Sequence, residues 1–309
     1  MRKISISIGI PAYNEADNIK KLLFSLLAQK QDIFTILEIV VVSDGSTDDT
    51  ANKVLEMKNE QIKLIRNNKR IGQVLTQNLI VKKLTGDILV LLNADIIIKD
   101  RLFIEKIIEP ILKDKTVGVV SPAIIPVSSS NFFEKIINYS VDFKTKIYTS
   151  WKNGSNVYLC HGRARAFSKR FSKKFVWEKV LSEDAYSYLF CVKNGFKFVY
   201  QPKTEVYYKS PMNFVDHKRQ SSRFLNSISE FSPYFQKQFL KKEYEIPKSI
   251  FFKNVAISLL NSPFYLFAYI VIFLLVKVSP HKNIDLTYEI SNASRQFKIS
   301  GIFKGLYEE

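Results

Sequence analysis

"GDILVLLNADIIIKDR", residues Gly86 to Arg101, decides the fold. Ile88 to Leu92 is one apolar run and Ile96 to Ile98 another, and Asn93, Ala94 and Asp95 stand between them. A short continuous apolar run that stops at polar residues reads as a strand covered on both faces. A carboxylate at the end of such a strand calls for a partner, because a charge taken out of water is costly when unpaired.

The plan repeats upstream. In "ISISIGIPAYNEADN" Ile4, Ile6, Ile8 and Ile10 alternate, and Pro11 is expected to end the strand. Ile19, Leu22, Leu23, Leu26 and Leu27 follow at helical spacing, with Glu15 and Asp17 where a helix dipole favours acids. In "ILEIVVVSDGSTDDT" Ile39 to Val42 read as a buried strand, "SDGS" as a loop, and Thr47 to Met57 as a helix with an acidic first turn. "IKLIRN" predicts a third strand, and a helix follows Gly72. Strands alternating with helices predict an α/β fold with a mostly parallel, doubly wound sheet. Ligands of such sheets bind beyond the carboxyl ends of the strands. The loops "PAYNEAD", "SDGSTDD" and "NADI" should therefore share one mouth, each bringing acid to it.

From about Ser121 the pattern changes. "VGVVSP" reads as another strand, and residues 131–151 are aromatic-rich and mixed, with a helix as one reading. His161 to Val180 holds seven Lys or Arg and one Glu, which reads either as a solvated basic face or as a surface for diphosphate or lipid headgroups. "LSEDAYSYLFCVKNGFKFVY" predicts a helix and then a strand, with Gly195 at the break. Residues 255–276 carry no charge. As one helix they would extend about 33 Å, enough for a hydrocarbon core of about 30 Å. Ser258, Asn261, Ser262 and Pro263 weaken the first half, yet a transmembrane or deeply inserted helix is the expectation, with the tail after Pro280 on either side.

The formal charge is +17, from 46 basic and 29 acidic residues. That excess implies an anionic partner: nucleic acid, an acidic membrane, or phosphorylated substrates. Nucleic acid is not expected, because the chain shows no zinc spacing, no RNP-like aromatic motif and no basic tail. Cys160 and Cys191, the two cysteines, exclude a disulfide scaffold and a four-thiolate zinc site. The charged pair at the start is unlike a signal peptide, so the N-terminal part is expected in the cytosol.

"P-x-Y-N-E", then "SDGSTDDT", then a strand ending in "N-A-D", then "SED", in this order, resembles the family 2 glycosyltransferases over Ile4 to Phe224. The resemblance implies the GT-A fold, a Rossmann-like nucleotide-sugar-binding architecture. It implies a nucleotide-binding half over residues 1–120, an acceptor-binding half over 121–230, and a membrane-associated helical region over 231–309. Pro11, Tyr13 and Glu15 match the family loop that cups the base and ribose, with Tyr13 stacking on the base. Asp44 matches the acid that takes a hydrogen bond from the base edge. Arg70, Gly72 and Asn78 hold places in a nucleotide-sugar-binding stretch where Gln73 replaces the family's usual Lys. "NAD" matches the D-x-D motif, so Asp95 would ligate Mg²⁺ or Mn²⁺, hard cations suited to oxygen donors. Asn93 replaces the first acid and would face the ribose or sugar.

Glu183 and Asp184 match the acidic pair at the acceptor, the second being the base that takes the hydroxyl proton. "QSSRF" resembles Q-x-x-R-W, with Gln220 and Arg223 toward the donor diphosphate and Phe224 under the acceptor. His161 and Gly162 match a region bordering the acceptor pocket. Plainer readings stand beside these: a capped turn for Asn93 and Asp95, an acidic N-cap pair behind Ser182, a basic helix face for "QSSRF", a structural His161. The activity implied is inverting transfer of a sugar from a nucleotide donor to a hydroxyl of a lipid-linked glycan or polysaccharide at the cytosolic face of an anionic membrane. A polyprenyl-phosphate acceptor, and a non-catalytic anion-binding protein, are the alternatives.

Overall fold

The computed structural model describes residues 3–279, apart from residue 226 and the side chains of residues 223–227. The elements run β1 (Ile4–Ala12), α1 (Ile19–Leu27), β2 (Phe34–Asp44), α2 (Thr50–Leu55), β3 (Ile62–Asn67), α3 (Gln73–Lys83), β4 (Ile88–Leu92), α4 (Phe103–Lys113), β5 (Val117–Pro126) and α5 (Phe132–Thr149). Then come β6 (Ala164–Ser168), α6 (Lys169–Ser172), α7 (Glu183–Lys193), β7 (Lys197–Tyr208), α8 (Phe214–Leu225), α9 (Ser227–Phe231), α10 (Lys237–Tyr244), α11 (Lys248–Asn261) and α12 (Pro263–Val278).

The strands form one seven-stranded sheet in the order β3-β2-β1-β4-β6-β5-β7. β3, β2, β1 and β4 are mutually parallel, as the alternation of elements predicts. β6 is inserted antiparallel between β4 and β5, and β7 runs parallel to β5. Both faces are covered. Ile6, Ile8 and Ile10 point into a core closed by α1 and α4. On the other face Val40, Val42, Leu89 and Leu91 pack under α3, α7 and α10. The antiparallel insertion matters for the site. In its register Ala164 opposes Leu92, so the chain enters β6 at the edge where β4 leaves the sheet.

Three local expectations change. β1 continues through Pro11, which pairs opposite Val42, and ends one residue later at Ala12. α2 begins at Thr50 rather than Thr47, with no acid in its first turn. The Asp48 carboxylate instead accepts hydrogen bonds from the Thr50 amide and hydroxyl, a local bond that competes with the helix. Residues 255–276 are not one helix. The chain breaks at Ser262 and restarts at Pro263, because proline has no N–H to give the preceding turn and fits the first turn of a new helix.

α11 has 14 residues and α12 has 16. These are about 21 and 24 Å long, short of a hydrocarbon core of about 30 Å. No helix among the described residues is long and apolar enough to cross a membrane. Both pack on α5: Ile250 and Val255 of α11 join the cluster of Phe143 and Ile147, where Leu266 of α12 also sits, and Ile272 and Val276 of α12 meet Ile136 and Ile137. Their outer sides leave Phe252, Leu260, Phe264, Phe267 and Val278 exposed.

The loops after β2 and β3 meet at Gly45, whose φ is +68°. A Cβ there would lie 2.5 Å from the Arg70 amide nitrogen and 2.7 Å from the Lys69 carbonyl carbon. Gly45→Ala therefore meets both a left-handed backbone and a backbone clash. A loss of about 1–3 kcal/mol is expected in denaturant unfolding, from the backbone strain alone. An unchanged unfolding midpoint would show that these loops do not depend on the close approach.

Candidate active site

β1, β2 and β4 end together, and beyond their ends lies an open cleft of about 710 Å³. Pro11, Tyr13, Glu15, Asp44, Arg70, Asn93, Asp95 and Glu183 line it. The acid-bearing loops thus share one mouth, as their places at strand ends require.

The first two loops are laced together. The Asn14 side-chain Oδ1 accepts from the Thr47 backbone amide at 2.8 Å, and the Thr50 hydroxyl accepts from the Glu15 backbone amide at 2.7 Å. Glu15 is buried, and its carboxylate accepts from the Asn18 amide group at 2.7 Å. Asp44 holds the third loop. Its Oδ1 accepts from Asn67 Nδ2 at 2.8 Å and from the Ile71 amide at 2.9 Å, and its Oδ2 from the Gly72 amide at 2.9 Å. Gly72 contributes backbone behind the cleft wall. Arg70, carried by the same loop, lays its guanidinium 3.7 Å above the Tyr13 ring. One face of that ring is therefore already stacked on a cation.

At the end of β4 the question raised by Asp95 is answered. It is buried, and its Oδ2 lies 3.1 Å from Arg163 Nη1. Arg163 is delivered by the approach to antiparallel β6, where its carbonyl also accepts from the Asn93 amide at 2.9 Å. The Arg163 guanidinium rests 3.8 Å above the Tyr208 ring. Asn93 faces the other way: its Oδ1 accepts from Gln73 Nε2 at 3.3 Å, and the same Nε2 donates to Glu183 Oε1 at 3.0 Å. Gln73 thus bridges the two motifs.

Glu183 and Asp184 open α7, where the dipole favours acids. Ser182 precedes them but makes no side-chain cap. Glu230 of α9 accepts from the Leu181 and Ser182 amides just before the helix and so fixes the chain's entry into α7. Glu183 is committed inward. Its Oε1 lies 3.4 Å from Nη2 of Arg165, whose side chain is fully buried. Its carbonyl accepts from Trp177 Nε1 at 2.8 Å. Leaving one member of such a buried pair alone costs about 3–5 kcal/mol. Asp184 points to the neighbouring loop, where its Oδ2 accepts from the Gly162 amide at 3.2 Å. Gly162 is tightly fitted, since a Cβ there would lie 2.5 Å from Glu183 Oε1. His161 sits beside them, its amide donating to the Ser121 hydroxyl at 3.1 Å. Burial outweighs the nearby Asp184 and, with Arg163 and Lys144, pushes the His161 imidazolium down to about 4. The ring is therefore neutral at pH 7.

Not every expected residue reaches the cleft. The Asn78 amide is spent on both sides of one contact, donating to the Trp177 carbonyl and accepting from the Trp177 amide, each at 2.9 Å. Lower on α3, it clamps the loop before α7. Gln220, half-buried on α8, is absent from the cleft lining. Arg223 and Phe224 have side chains outside the described residues. The reading of His161–Val180 as one basic face also fails in its first part, since Arg163 and Arg165 turn inward while Lys169, Arg170, Lys173, Lys174 and Lys179 are exposed. A charge inside the short apolar stretch "ARAFS" was the signal for Arg165.

Among the described residues no three acidic, histidine or cysteine side chains converge on a point. The cleft does offer hard oxygens, the Asp95 carboxylate close by the Asn93 amide in sequence, and Asp95 is the acid of that loop on its wall. A cation coordinated largely by a diphosphate needs few protein oxygens, so this set fits Mg²⁺ or Mn²⁺ presented by a nucleotide.

The chain matches the model of "Glycosyl transferase family 2" over residues 7–175. It is 30% identical over 95 residues to an uncharacterized glycosyltransferase of Synechocystis sp., a match covering 30% of each chain. It is 33% identical over 90 residues to the UDP-Glc:alpha-D-GlcNAc-diphosphoundecaprenol beta-1,3-glucosyltransferase of Escherichia coli, covering 29% of this chain and 34% of that one. The matches thus span about a third of these relatives' lengths. A mannosyltransferase from Pyrobaculum calidifontis, solved with GDP-Man and Mn2+, superposes with a TM-score of 0.60 over 91% of this chain and 77% of that one. At 18% identity that likeness is one of fold, the GT-A architecture. With the family model covering more than half of its length, the chain belongs to glycosyl transferase family 2.

Proposed function

We propose that the chain is an inverting glycosyltransferase. It moves a sugar from a nucleotide-diphosphate donor to a hydroxyl of a lipid-linked glycan or polysaccharide at the cytosolic face of a membrane. The observation that carries this reading is the bridge from Asn93 through Gln73 to Glu183, which joins the donor motif to the first of the two acids that open α7.

Pro11, Tyr13, Glu15 and Asp44 form the nucleotide end. Tyr13 offers a base the ring face that Arg70 leaves open. Asp44, already fixed by three donors, presents its remaining lone pairs to the base edge. Asn93 faces the sugar or ribose as a hydrogen-bonding amide. Asp95 holds the Mg²⁺ or Mn²⁺ of the bound nucleotide, which would supply Lewis-acid stabilisation to the leaving diphosphate. Arg163, now paired with Asp95, is a second cation within reach of that diphosphate.

The two acids of "SED" divide the work. Glu183 is locked by Arg165 and Gln73 and serves as a positioning residue. Among the described residues Asp184 accepts from backbone amides, those of Gly162 and Ala185. It is the base, taking the acceptor proton as the new bond forms on the face opposite the departing diphosphate, which inverts the anomeric centre. General-base catalysis is worth about 10²–10⁴-fold. Asp184→Asn should therefore lose transfer by about that factor and leave nucleotide binding by calorimetry unchanged. Loss of both together would remove the base assignment.

The outer faces of α11 and α12 suit the membrane interface. Phe252, Leu260, Phe264, Phe267 and Val278 are exposed, Lys248, Lys253 and Lys277 flank them, and the chain carries +17. Broad apolar faces rimmed with lysine bind anionic bilayers by burying the apolar side at headgroup depth. The chain should co-sediment with phosphatidylglycerol vesicles, more weakly at 0.5 M salt and hardly with phosphatidylcholine alone. Leu260→Glu with Phe267→Glu should abolish co-sedimentation. Unchanged sedimentation of that variant would refute the docking face.

A further inference from the structure

Two arginines reach the site from β6 and its approach, and they are held in different ways. Arg165 is fully buried and tied three times. Its Nη1 donates to the Ser187 hydroxyl at 2.9 Å and to the Glu183 carbonyl at 3.3 Å, and its Nη2 meets Glu183 Oε1 at 3.4 Å. Arg163 keeps 13% of its side chain exposed. Among the described residues its guanidinium makes one hydrogen bond, from Nη1 to Asp95 Oδ2 at 3.1 Å. Its backbone is fixed, because its carbonyl accepts from the Asn93 amide at 2.9 Å. Its planar head lies 3.8 Å above the buried Tyr208 ring. A guanidinium carries five N–H donors in a rigid fork, so most of those on Arg163 are not spent on Asp95. The direction in which that fork points across the ring is the freedom left to it.

Asp95 stands on the cleft wall just past the end of β4, and among the described residues its carboxylate accepts from Arg163. A divalent ion at Asp95 therefore takes the carboxylate that Arg163 uses. Arg163 would be left as an unpaired guanidinium, largely out of water, beside a dication. Both effects oppose an ion that comes alone. A diphosphate reverses both. Its oxygens match the guanidinium fork and give Arg163 a counter-charge in place of Asp95. The Tyr208 ring serves equally before and after, because a ring face attracts the cation whichever anion lies at its edge. Arg165 has no such choice, since its three bonds close it on Glu183 and Ser187.

We propose that Arg163 is an exchangeable counter-ion of the cleft. It neutralises Asp95 until a diphosphate and a divalent ion arrive together, then turns on the Tyr208 face from Asp95 to the diphosphate. Arg163 thereby makes the binding of the ion conditional on the nucleotide. The inference rests on the transferase reading, from which it takes the nucleotide diphosphate, and adds the order in which the site assembles. Coupling of this kind is reciprocal, so the nucleotide gains from the ion what the ion gains from the nucleotide. The ion at Asp95 and the cation at the diphosphate are thus set in place by one exchange of partners.

The test reads Mn²⁺ binding to the full chain from the paramagnetic resonance signal of free Mn²⁺, with no nucleotide and with saturating UDP or GDP. Arg163→Met keeps the apolar stem over Tyr208 and removes the charge. It should bind Mn²⁺ alone about tenfold more tightly than wild type, a size ordinary for coupling between two sites. The gain in Mn²⁺ affinity that the nucleotide brings should shrink by a similar factor. Arg163→Lys, which keeps the charge, should bind Mn²⁺ alone as weakly as wild type. Lys173→Met, the same charge change at an exposed position, should leave both affinities unchanged. Asp95→Asn in the Arg163→Met background should abolish the gain, which locates it at Asp95. Equal affinity of Arg163→Met and wild type for Mn²⁺ alone overturns the exchange, and so does the same gain in Lys173→Met. Nucleotide binding is followed separately by calorimetry. A chain that binds neither nucleotide refutes the donor reading, while tighter Mn²⁺ binding by Arg163→Met would still support the counter-ion at Asp95.

Discussion

The guanidinium of Arg165 is enclosed on all sides, and among the described residues the carboxylate that meets it is Glu183. Much of the site follows from that pair. Arg165 sits in the middle of β6, so the pair ties the first turn of α7 to the sheet. It fixes Glu183 against Gln73, and Gln73 against Asn93 at the end of β4. It also sets the direction of the next residue. With Glu183 held inward, Asp184 is left facing the Gly162 loop. The pair is weak as a source of net stability, because desolvation offsets most of the attraction. Its value lies in geometry: either partner alone would be an uncompensated buried charge, so the start of α7 has one place to be.

Two adjacent acids thus acquire different chemistry from their surroundings. The difference could not come from residue type or spacing. It comes from β6 running antiparallel, which brings Arg165 to Glu183 and leaves Asp184 to the Gly162 amide, while Arg163, two positions earlier, meets Asp95. A parallel strand in that slot would begin at the far edge of the sheet and deliver neither. The antiparallel insertion is therefore the fold-level cause of the electrostatics at the cleft.

This also marks where sequence reading succeeded. β3 falls on "IKLIRN" and α3 directly after Gly72, because period and turn residues are local signals. The convergence of the loops after β1, β2 and β4 was legible too, since parallel strands must end on one edge. Strand order was not, because nothing in "ARAFS" states that it lies between β4 and β5. The basic block looked uniform for the same reason: a linear run of Lys and Arg hides that alternate positions near a strand meet different partners. Asn78 illustrates the converse error. Its polarity and place suggested the ligand, but a side chain further along α3 meets Trp177 first. In residues 255–276 the signal was present in Pro263 and was outweighed by hydropathy. The proline decides the matter, since a residue without an N–H can start a helix but not pass through the middle of one unbroken.

The net charge of +17 consequently divides into two populations with different physics. Lys173, Lys174 and Lys179, with the lysines flanking α11 and α12, are exposed and screened, and their attraction to an anionic surface fades within a Debye length of about 8 Å at physiological salt. Arg163, Arg165 and Lys144 are enclosed to differing degrees and hardly screened, so each is decided by its immediate partner. Among the described residues two of these meet a carboxylate and Lys144 does not. Salt should therefore separate the two populations, weakening any attraction of the exposed lysines to an anionic surface well before it disturbs the arrangement of the cleft. That separation explains how one chain can be strongly basic overall and still keep acids on the wall of its cleft.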